Sequence, residues 1–358
     1  MTTLTSLKTV VAVVPEGVDD PARPSGGNAY DRRVCRGLAR AGWSLREQVV
    51  PGSWPDADAA AHRALADLLA SARDGTTVLV DGLVASAAAC VLVPEASRLR
   101  LVVLLHLPLG ATAADPPAVA GERAVLSAAA AVLTTSRWTR RWVLERCDLP
   151  VDRVHLVEPG VDPAPVATGT PSGRRLLCVA AVTPLKGHDV LLEGLARVRD
   201  LAWTCDCVGS LDRDPGFAER LRGRACALGL ADRFRLLGPR TGSGLDACYG
   251  SADALVMASR FESYGMVVTE ALARGLPVLA TSAGGLPETL GVLPDGSRAG
   301  MLVPPEDPDA LADALRRWLL EDDLRSSLRA AAARRRTGLS GWDDTTRAVS
   351  RVLGEVAT

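Results

Sequence analysis

Glu262 and Glu270 stand eight residues apart in the stretch Arg260-Phe-Glu-Ser-Tyr-Gly-Met-Val-Val-Thr-Glu-Ala-Leu-Ala-Arg-Gly-Leu-Pro277. The preceding apolar run, Ala254-Leu-Val-Met-Ala258, reads as a buried parallel strand. Gly265 permits a sharp turn, and Met266 to Arg274 has helix composition closed by Gly275 and Pro277. Glu262 is therefore expected in a loop at the carboxyl end of a strand, and Glu270 about one turn into the next helix. The amides of Ser263, Tyr264, Gly265 and Met266 would point off that helix's N-terminus, a ready site for anions and hydroxyls. Two carboxylates flanking such a terminus can grip both ends of a polyhydroxylated, phosphorylated ligand. One would hold a sugar hydroxyl and the other a ribose.

Lysine usage points to a second group. Of 41 basic residues only Lys8 and Lys186 are lysines, so 41 − 2 leaves 39 arginines. Lys8 lies in the terminal segment. Lys186 lies in Val182-Thr-Pro-Leu-Lys-Gly-His-Asp189, between a strand expected over Leu176 to Val179 and a helix expected over Asp189 to Val198. Arginine and lysine differ most where a compact point charge must meet a phosphate in a tight place. A lone lysine beside a glycine in a strand-to-helix loop suggests such a contact.

Glu262 and Glu270, with Ser-Arg before, Tyr-Gly-Met between and Glu-Ala-Leu-Ala-Arg-Gly-Leu-Pro-Val after, resemble the E-x7-E element of the retaining family-4 glycosyltransferases of the GT-B fold. The Lys186-Gly187 segment is similar to the family's pyrophosphate-holding lysine. The resemblance implies a nucleoside-diphosphate sugar as donor, no required metal, and transfer to an acceptor with the anomeric configuration retained. It gives Glu270 the ribose hydroxyls, Glu262 and the amides after it the sugar, and Lys186 the departing diphosphate. The chain departs from the family at Ala181, where many members carry a second basic residue; Arg240 and Arg260 are the candidates to replace it. Gly284-Gly-Leu-Pro-Glu288 resembles a further donor-side loop, although Glu288 reads equally well as a helix cap. Backbone around Gly238-Pro-Arg240 is placed near the nucleobase, with uridine taken over guanosine. Glu262, Lys186 and His106 are the expected catalytic groups.

Ser25-Gly-Gly-Asn-Ala-Tyr-Asp-Arg-Arg33 follows the first strand and opens a helix. Gly26 and Gly27 would let backbone approach a ligand closely, and the segment resembles the family's glycine-rich loop near the donor diphosphate. Asn28, Tyr30 and Asp31 are the acceptor-side candidates, with Asn28 alternatively capping the helix. His106 ends the strand Leu101 to Leu105 and resembles the histidine that approaches the reacting sugar; the alternative is a satisfied core histidine. His188 is expected to be structural. Asp212-Arg-Asp214 and Asp56-Ala-Asp58 match the short D-x-D metal pattern of the other glycosyltransferase fold, in proline-rich segments where such patterns arise easily.

Bulk properties exclude several classes. The net charge is −1, so no global field draws a polyanion, and nucleic acid is not expected as a partner. Only 4% of residues are aromatic, so the core must be aliphatic. Eight cysteines contain no C-x2-C pair and none is spaced from a histidine as zinc ligands are, which reads as buried free thiols in a reducing cytoplasm. No targeting segment or membrane-length apolar run occurs. In Ser136-Arg-Trp-Thr-Arg-Arg-Trp142 the tryptophans are expected in the core with a solvated basic face; peripheral membrane contact is the less favoured reading. The expected acceptor is therefore a small soluble molecule.

Apolar strand-like runs alternate with helical patterns throughout, the signature of two doubly wound parallel sheets. The expected organisation is an acceptor-side Rossmann-like domain over 1–160, a proline- and glycine-rich linker over 161–173, and a nucleotide-sugar-binding Rossmann-like domain over 174–339. Residues 340–358 form a last helix, and the resemblance implies that it crosses back to the first domain and that the two domains face a central cleft. Two other readings remain: a sugar-nucleotide 2-epimerase of similar fold, and a catalytically impaired nucleotide-binding scaffold. A phosphorylase needs a lysine for pyridoxal phosphate, and the only lysine inside the fold, Lys186, is already assigned.

Overall fold

The computed structural model describes residues 8–112 and 115–357. It contains two parallel six-stranded sheets. The first is built from β1 (Thr9–Pro15), β2 (Ser44–Val50), β3 (Thr77–Asp81), β4 (Arg100–Leu105), β5 (Ala131–Thr134) and β6 (Val154–Leu156), in the order β2-β1-β3-β4-β5-β6. The second contains β7 (Arg175–Val179), β8 (Thr204–Val208), β9 (Phe234–Gly238), β10 (Ala254–Met257), β11 (Val278–Thr281) and β12 (Gly300–Val303), in the order β12-β11-β10-β7-β8-β9. Helices join successive strands, as parallel pairing requires.

The chain divides into two compact units. The first comprises Met1–Val18, Gly27–Gly160 and Ser340–Thr358; the second comprises Asp19–Gly26 and Val161–Leu339. The short segment Asp19–Gly26 thus groups with the second unit although it follows β1.

The central strands form where apolar residues run unbroken, because both faces of the sheet are covered there. Successive side chains serve opposite faces. On β7, Leu176 and Cys178 join a core with the helices His188–Ala196, Pro215–Ala227 and Pro308–Leu320, while Leu177 joins the core on the other face with the helix Met266–Ala273. In the first unit, the helix Trp342–Ala357 packs against β3, β4 and β5. It is held by hydrogen bonds from Trp43 Nε1 to Ser350 Oγ (2.8 Å) and from Thr345 Oγ1 to the Glu158 carbonyl (2.9 Å).

Residues 157–174 form neither helix nor strand. Part of the stretch is nonetheless tied to the second unit. Ala167 N donates to Arg274 O (2.9 Å), and Thr170 Oγ1 to the buried Asp253 (2.7 Å).

Two local expectations are corrected. Trp138 and Trp142 are half-buried, whereas Thr139, Val143 and Cys147 form the buried stripe of the helix Arg137–Cys147. The tryptophans share that four-residue spacing one position earlier, at the edge of the stripe, and Trp142 still packs against the same core. Asn28 lies inside a helix that already begins at Gly26, rather than at its N-cap position. The second carboxylates of both D-x-D pairs cap helices: Asp58 accepts from Ala61 N and Asp214 from Phe217 N, each at 2.8 Å.

Candidate functional site

In an open parallel sheet, ligands bind beyond the carboxyl ends of the strands where the strand order reverses. In the second sheet that point lies between β7 and β10. Lys186 follows β7 and Glu262 follows β10, so the chain delivers both to the switch point.

The two side chains meet. Lys186 Nζ donates to Glu262 Oε1 at 2.7 Å, and Ser259 Oγ donates to the same oxygen at 3.1 Å. Backbone fit fixes the pair from both sides. Gly187, at φ +65°, lies where a Cβ would stand 1.9 Å from the Ala258 carbonyl oxygen. Gly284, at φ +55°, would place a Cβ 2.0 Å from the Glu262 carbonyl oxygen. Only glycine satisfies both the left-handed backbone and these approaches. Gly285 N then donates to Glu262 O (2.8 Å), and Thr289 Oγ1 to Tyr264 O (2.6 Å). The Gly284–Glu288 loop thus braces the Glu262 loop, with Glu288 itself in the first turn of the short helix Leu286–Leu290.

Beyond Glu262, the half-buried Ser263 and Tyr264 lead to Gly265 at φ +85°. The helix then starts at Met266 with no side chain capping its N-terminus. Glu270 sits one turn further on. Tyr249 OH, fully buried, donates to Glu270 Oε2 at 2.7 Å. The Arg274 guanidinium lies 4.6 Å over the Tyr249 ring and also donates to the Glu270 carbonyl oxygen (2.9 Å). Burial raises the Glu270 pKa, while the Tyr249 hydrogen bond and Arg274 oppose the rise.

The two arginines proposed to compensate for Ala181 differ in position. Arg260 forms a fork with Asp189, Nη1 to Oδ1 at 2.9 Å and Nη2 to Oδ2 at 2.8 Å, and its Nε donates to Glu306 at 3.0 Å. A further donor meets the Pro184 carbonyl. Its guanidinium therefore braces the Lys186 loop from its own side of the chain. Arg240 is exposed beyond β9.

The first sheet reverses its order between β1 and β3. Asp31 comes from the helix Gly26–Arg40 after β1, Asp81 ends β3, and His106 follows β4. His106 Nε2 lies 2.8 Å from Asp31 Oδ1 and 3.6 Å from Asp81 Oδ2. Gly27 allows the approach: a Cβ there would stand 3.2 Å from the His106 ring. Asp81 Oδ1 also accepts from Leu83 N (2.8 Å) and Val84 N (3.3 Å), opening the next helix.

Burial drives the Asp81 pKa up to about 8, helped by the Asp31 charge and a hydrogen bond between the two carboxyls. Asp31 Oδ2 is buried without a donor unless Asp81 carries that proton. Two carboxylates so close cannot both ionise cheaply, so Asp81 is protonated near neutrality. For His106, burial lowers the pKa, but the Asp31 carboxylate, with Asp81, outweighs burial and raises it. The cluster can thus hold a proton at His106 beside one charged and one neutral carboxyl.

Of the acceptor-side candidates, Asn28 is half-buried with Nδ2 3.4 Å from the Gly17 carbonyl oxygen. Asp31 serves His106. Tyr30 is fully buried, its hydroxyl donating to Val157 O (2.9 Å) and its ring edge-on to His106 and Trp342. Its hydroxyl is committed to the core, which argues against an acceptor role. Gly26 heads its helix. Asp81 and Tyr249 were not anticipated: Asp81 ends an apolar run, and the Tyr249–Glu270 bond joins different elements.

Among the described residues, two clusters have the chemistry of metal ligands: Asp31, Asp81 and His106, and the buried trio Cys178, His188 and Cys207. The second joins residues that are far apart in the sequence and shows no ligand-like spacing along it.

The fold and the switch-point pair define a two-domain α/β protein of the GT-B type. Residues 173–322 match the family described as glycosyl transferases group 1. A D-inositol 3-phosphate glycosyltransferase of Salinispora tropica is 34% identical over 266 residues, 66% of this chain and 53% of that protein. The protein of the same name from Frankia alni is 32% identical over 266 residues, 68% of this chain and 63% of its own length. The chain thus spans about half to two-thirds of these relatives. Sucrose-phosphate synthase from Thermosynechococcus elongatus superposes with a TM-score of 0.81 at 20% identity, covering 98% of this chain and 99% of that one. Anabaena HepE, solved in complex with UDP and glucose, gives 0.78 at 15% identity, covering 97% and 100%. The chain is thus similar to family-4 glycosyltransferases, with the match to the family model lying in residues 173–322.

Proposed function

We propose that the protein transfers a sugar from a nucleoside-diphosphate sugar to a hydroxyl of a small acceptor, with retention at the anomeric carbon. The observation that carries this reading is the Lys186–Glu262 pair at the switch point, 2.7 Å apart, beside a helix N-terminus without a side-chain cap. Such a terminus and a lysine stabilise a departing diphosphate, so no metal is required in this scheme. Glu270, oriented by Tyr249, has a second carboxylate oxygen to offer the ribose hydroxyls. Glu262 and the amides of Ser263 to Met266 take the sugar. His106 is assigned to the reacting sugar on the strength of the family resemblance.

The bond from the anomeric carbon to the diphosphate oxygen breaks as the acceptor oxygen bonds on the same face. The acceptor proton passes to the departing phosphate oxygen, so no separate carboxylate base is needed.

The names of the relatives favour an inositol phosphate as the first acceptor to try, and the HepE complex favours UDP as the first nucleotide. The eight free cysteines fit a reducing, cytoplasmic setting. Among the described residues no helix is long and apolar enough to cross a membrane.

Calorimetry with UDP, GDP and ADP in the presence of chelator is the test. Binding of one diphosphate, followed by a product with the donor's anomeric configuration, supports the reading. No diphosphate binding sinks it. Binding without turnover across acceptors would favour a nucleotide-binding scaffold, a reading the commitment of Arg260 to Asp189 and Glu306 keeps in view.

A further inference from the structure

Three soft side chains converge in the core of the second unit. Cys178 on β7 and Cys207 on β8 are direct partners in the parallel register, and both face the same core. His188 opens the helix His188–Ala196 and brings its imidazole to the two thiols. Cys178 Sγ lies 3.7 Å from His188 Nε2, and one ligand-type atom from each residue lies within 4.8 Å of the others. The three residues are at most 1% exposed.

This spacing suits a bound cation. Zinc–thiolate bonds of about 2.3 Å and zinc–imidazole bonds of about 2.0–2.1 Å at tetrahedral angles put sulfur and nitrogen about 3.6 Å apart. The charges also balance. Two thiolates and a neutral imidazole cancel a divalent ion, so the ion can be buried among Val182, Val190 and Leu191 without a net charge. Soft sulfur and imidazole ligands select zinc-like cations over magnesium or calcium.

Cys205, two residues before Cys207 on β8, is a further buried thiol of the same core.

We propose that Cys178, Cys207 and His188 form a buried binding site for a soft divalent cation of the zinc type. Binding forms two metal–sulfur bonds and one metal–nitrogen bond, and releases to solvent whatever protons the two thiols still carry. His188 is two residues from Lys186, so a bound ion ties the Lys186 loop to β7 and β8. The site stands apart from the sugar-transfer reading and holds whether or not that reading does.

Because the cluster is closed to solvent, the full chain is refolded under reducing conditions with cobalt(II) as the probe. The expected result is one cobalt per chain, with thiolate-to-cobalt charge-transfer bands that zinc bleaches. Cys178→Ser and Cys207→Ser abolish the bands, whereas Cys90→Ser and Cys226→Ser, at the two exposed cysteines, leave them intact. Absence of the bands in the wild type, or their survival in both Cys178→Ser and Cys207→Ser, overturns the proposal. Should the serine variants fail to fold, X-ray absorption of the zinc-loaded wild type decides. Two sulfur neighbours and a nitrogen support the site, and a shell of oxygen and nitrogen alone overturns it.

Discussion

Lys186 Nζ and Glu262 Oε1 are hydrogen-bonded partners at 2.7 Å. The two groups expected to serve the leaving diphosphate and the sugar of one donor are therefore coupled before either meets it. The pair keeps a half-buried lysine and a buried glutamate satisfied. Lys186→Ala is expected to lower kcat by about 10²–10³, the usual loss when one donor to developing charge is removed. Lys186→Arg should recover little, because a planar fork does not replace a point charge in a tight loop. Steady-state kinetics checks both; near-normal turnover in Lys186→Ala would remove the residue from the mechanism.

Glu270 and Tyr249 should separate in binding. Loss of a hydrogen bond to a charged group costs about 1.5–3 kcal/mol, so Glu270→Ala should weaken nucleoside-diphosphate binding about 10- to 100-fold. Tyr249→Phe keeps the carboxylate and loses only its orientation, so its effect should be smaller. Calorimetric Kd values give the ranking, and equal effects would refute a direct Glu270 contact.

Asp81 predicts a pH dependence of stability. Its pKa is about 8 in the fold against an ordinary 3.8. Between those values the unfolded chain releases a proton that the native state keeps, so stability falls as pH rises through this window. His106, raised in the fold, has the same sign: its contribution is present below its ordinary value and is lost as pH rises through the folded one. Asp81→Asn can keep the helix cap and removes the larger titration. Its Tm should decline less than the wild type's between about pH 4 and pH 8, as read by thermal melts. Parallel curves for the two proteins would contradict a protonated Asp81.

Gly284→Ala should damage the site through its backbone. A non-glycine residue at φ +55°, with its Cβ 2.0 Å from the Glu262 carbonyl oxygen, forces the Glu262 loop to move. The strain alone is about 1–3 kcal/mol. Both a lower Tm and a loss of nucleotide binding are expected, whereas Gly223→Ala, in open space on an exposed helix face, should show neither.

Much of the architecture was legible in the sequence because the strands are buried on both faces. Strands such as β1, β4, β10 and β11 are unbroken apolar runs, whereas the edge strand β2 carries Arg46, Glu47 and Gln48. Glu262, Glu270 and Lys186 were legible because each follows a strand, and strand ends are where such sheets place ligand groups. Groups that depend on strand order were hidden. Cys178 and Cys207 are neighbours only because β7 pairs with β8, and Asp81 meets His106 only because β3 pairs with β4. The partner of the Tyr30 hydroxyl, the Val157 carbonyl, was hidden too, because it lies 127 residues away in the chain.

The helix Trp342–Ala357 belongs to the first unit although the second unit precedes it in the chain. In the vectorial order of synthesis, β7 to β12 leave the ribosome before the first unit has its last helix. The second unit can therefore close its sheet while β3, β4 and β5 still lack the cover that Val349, Val352 and Leu353 provide. The amino-terminal half is the last to be finished, and a chain halted after Leu339 would carry a complete second sheet and a first sheet without its last helix.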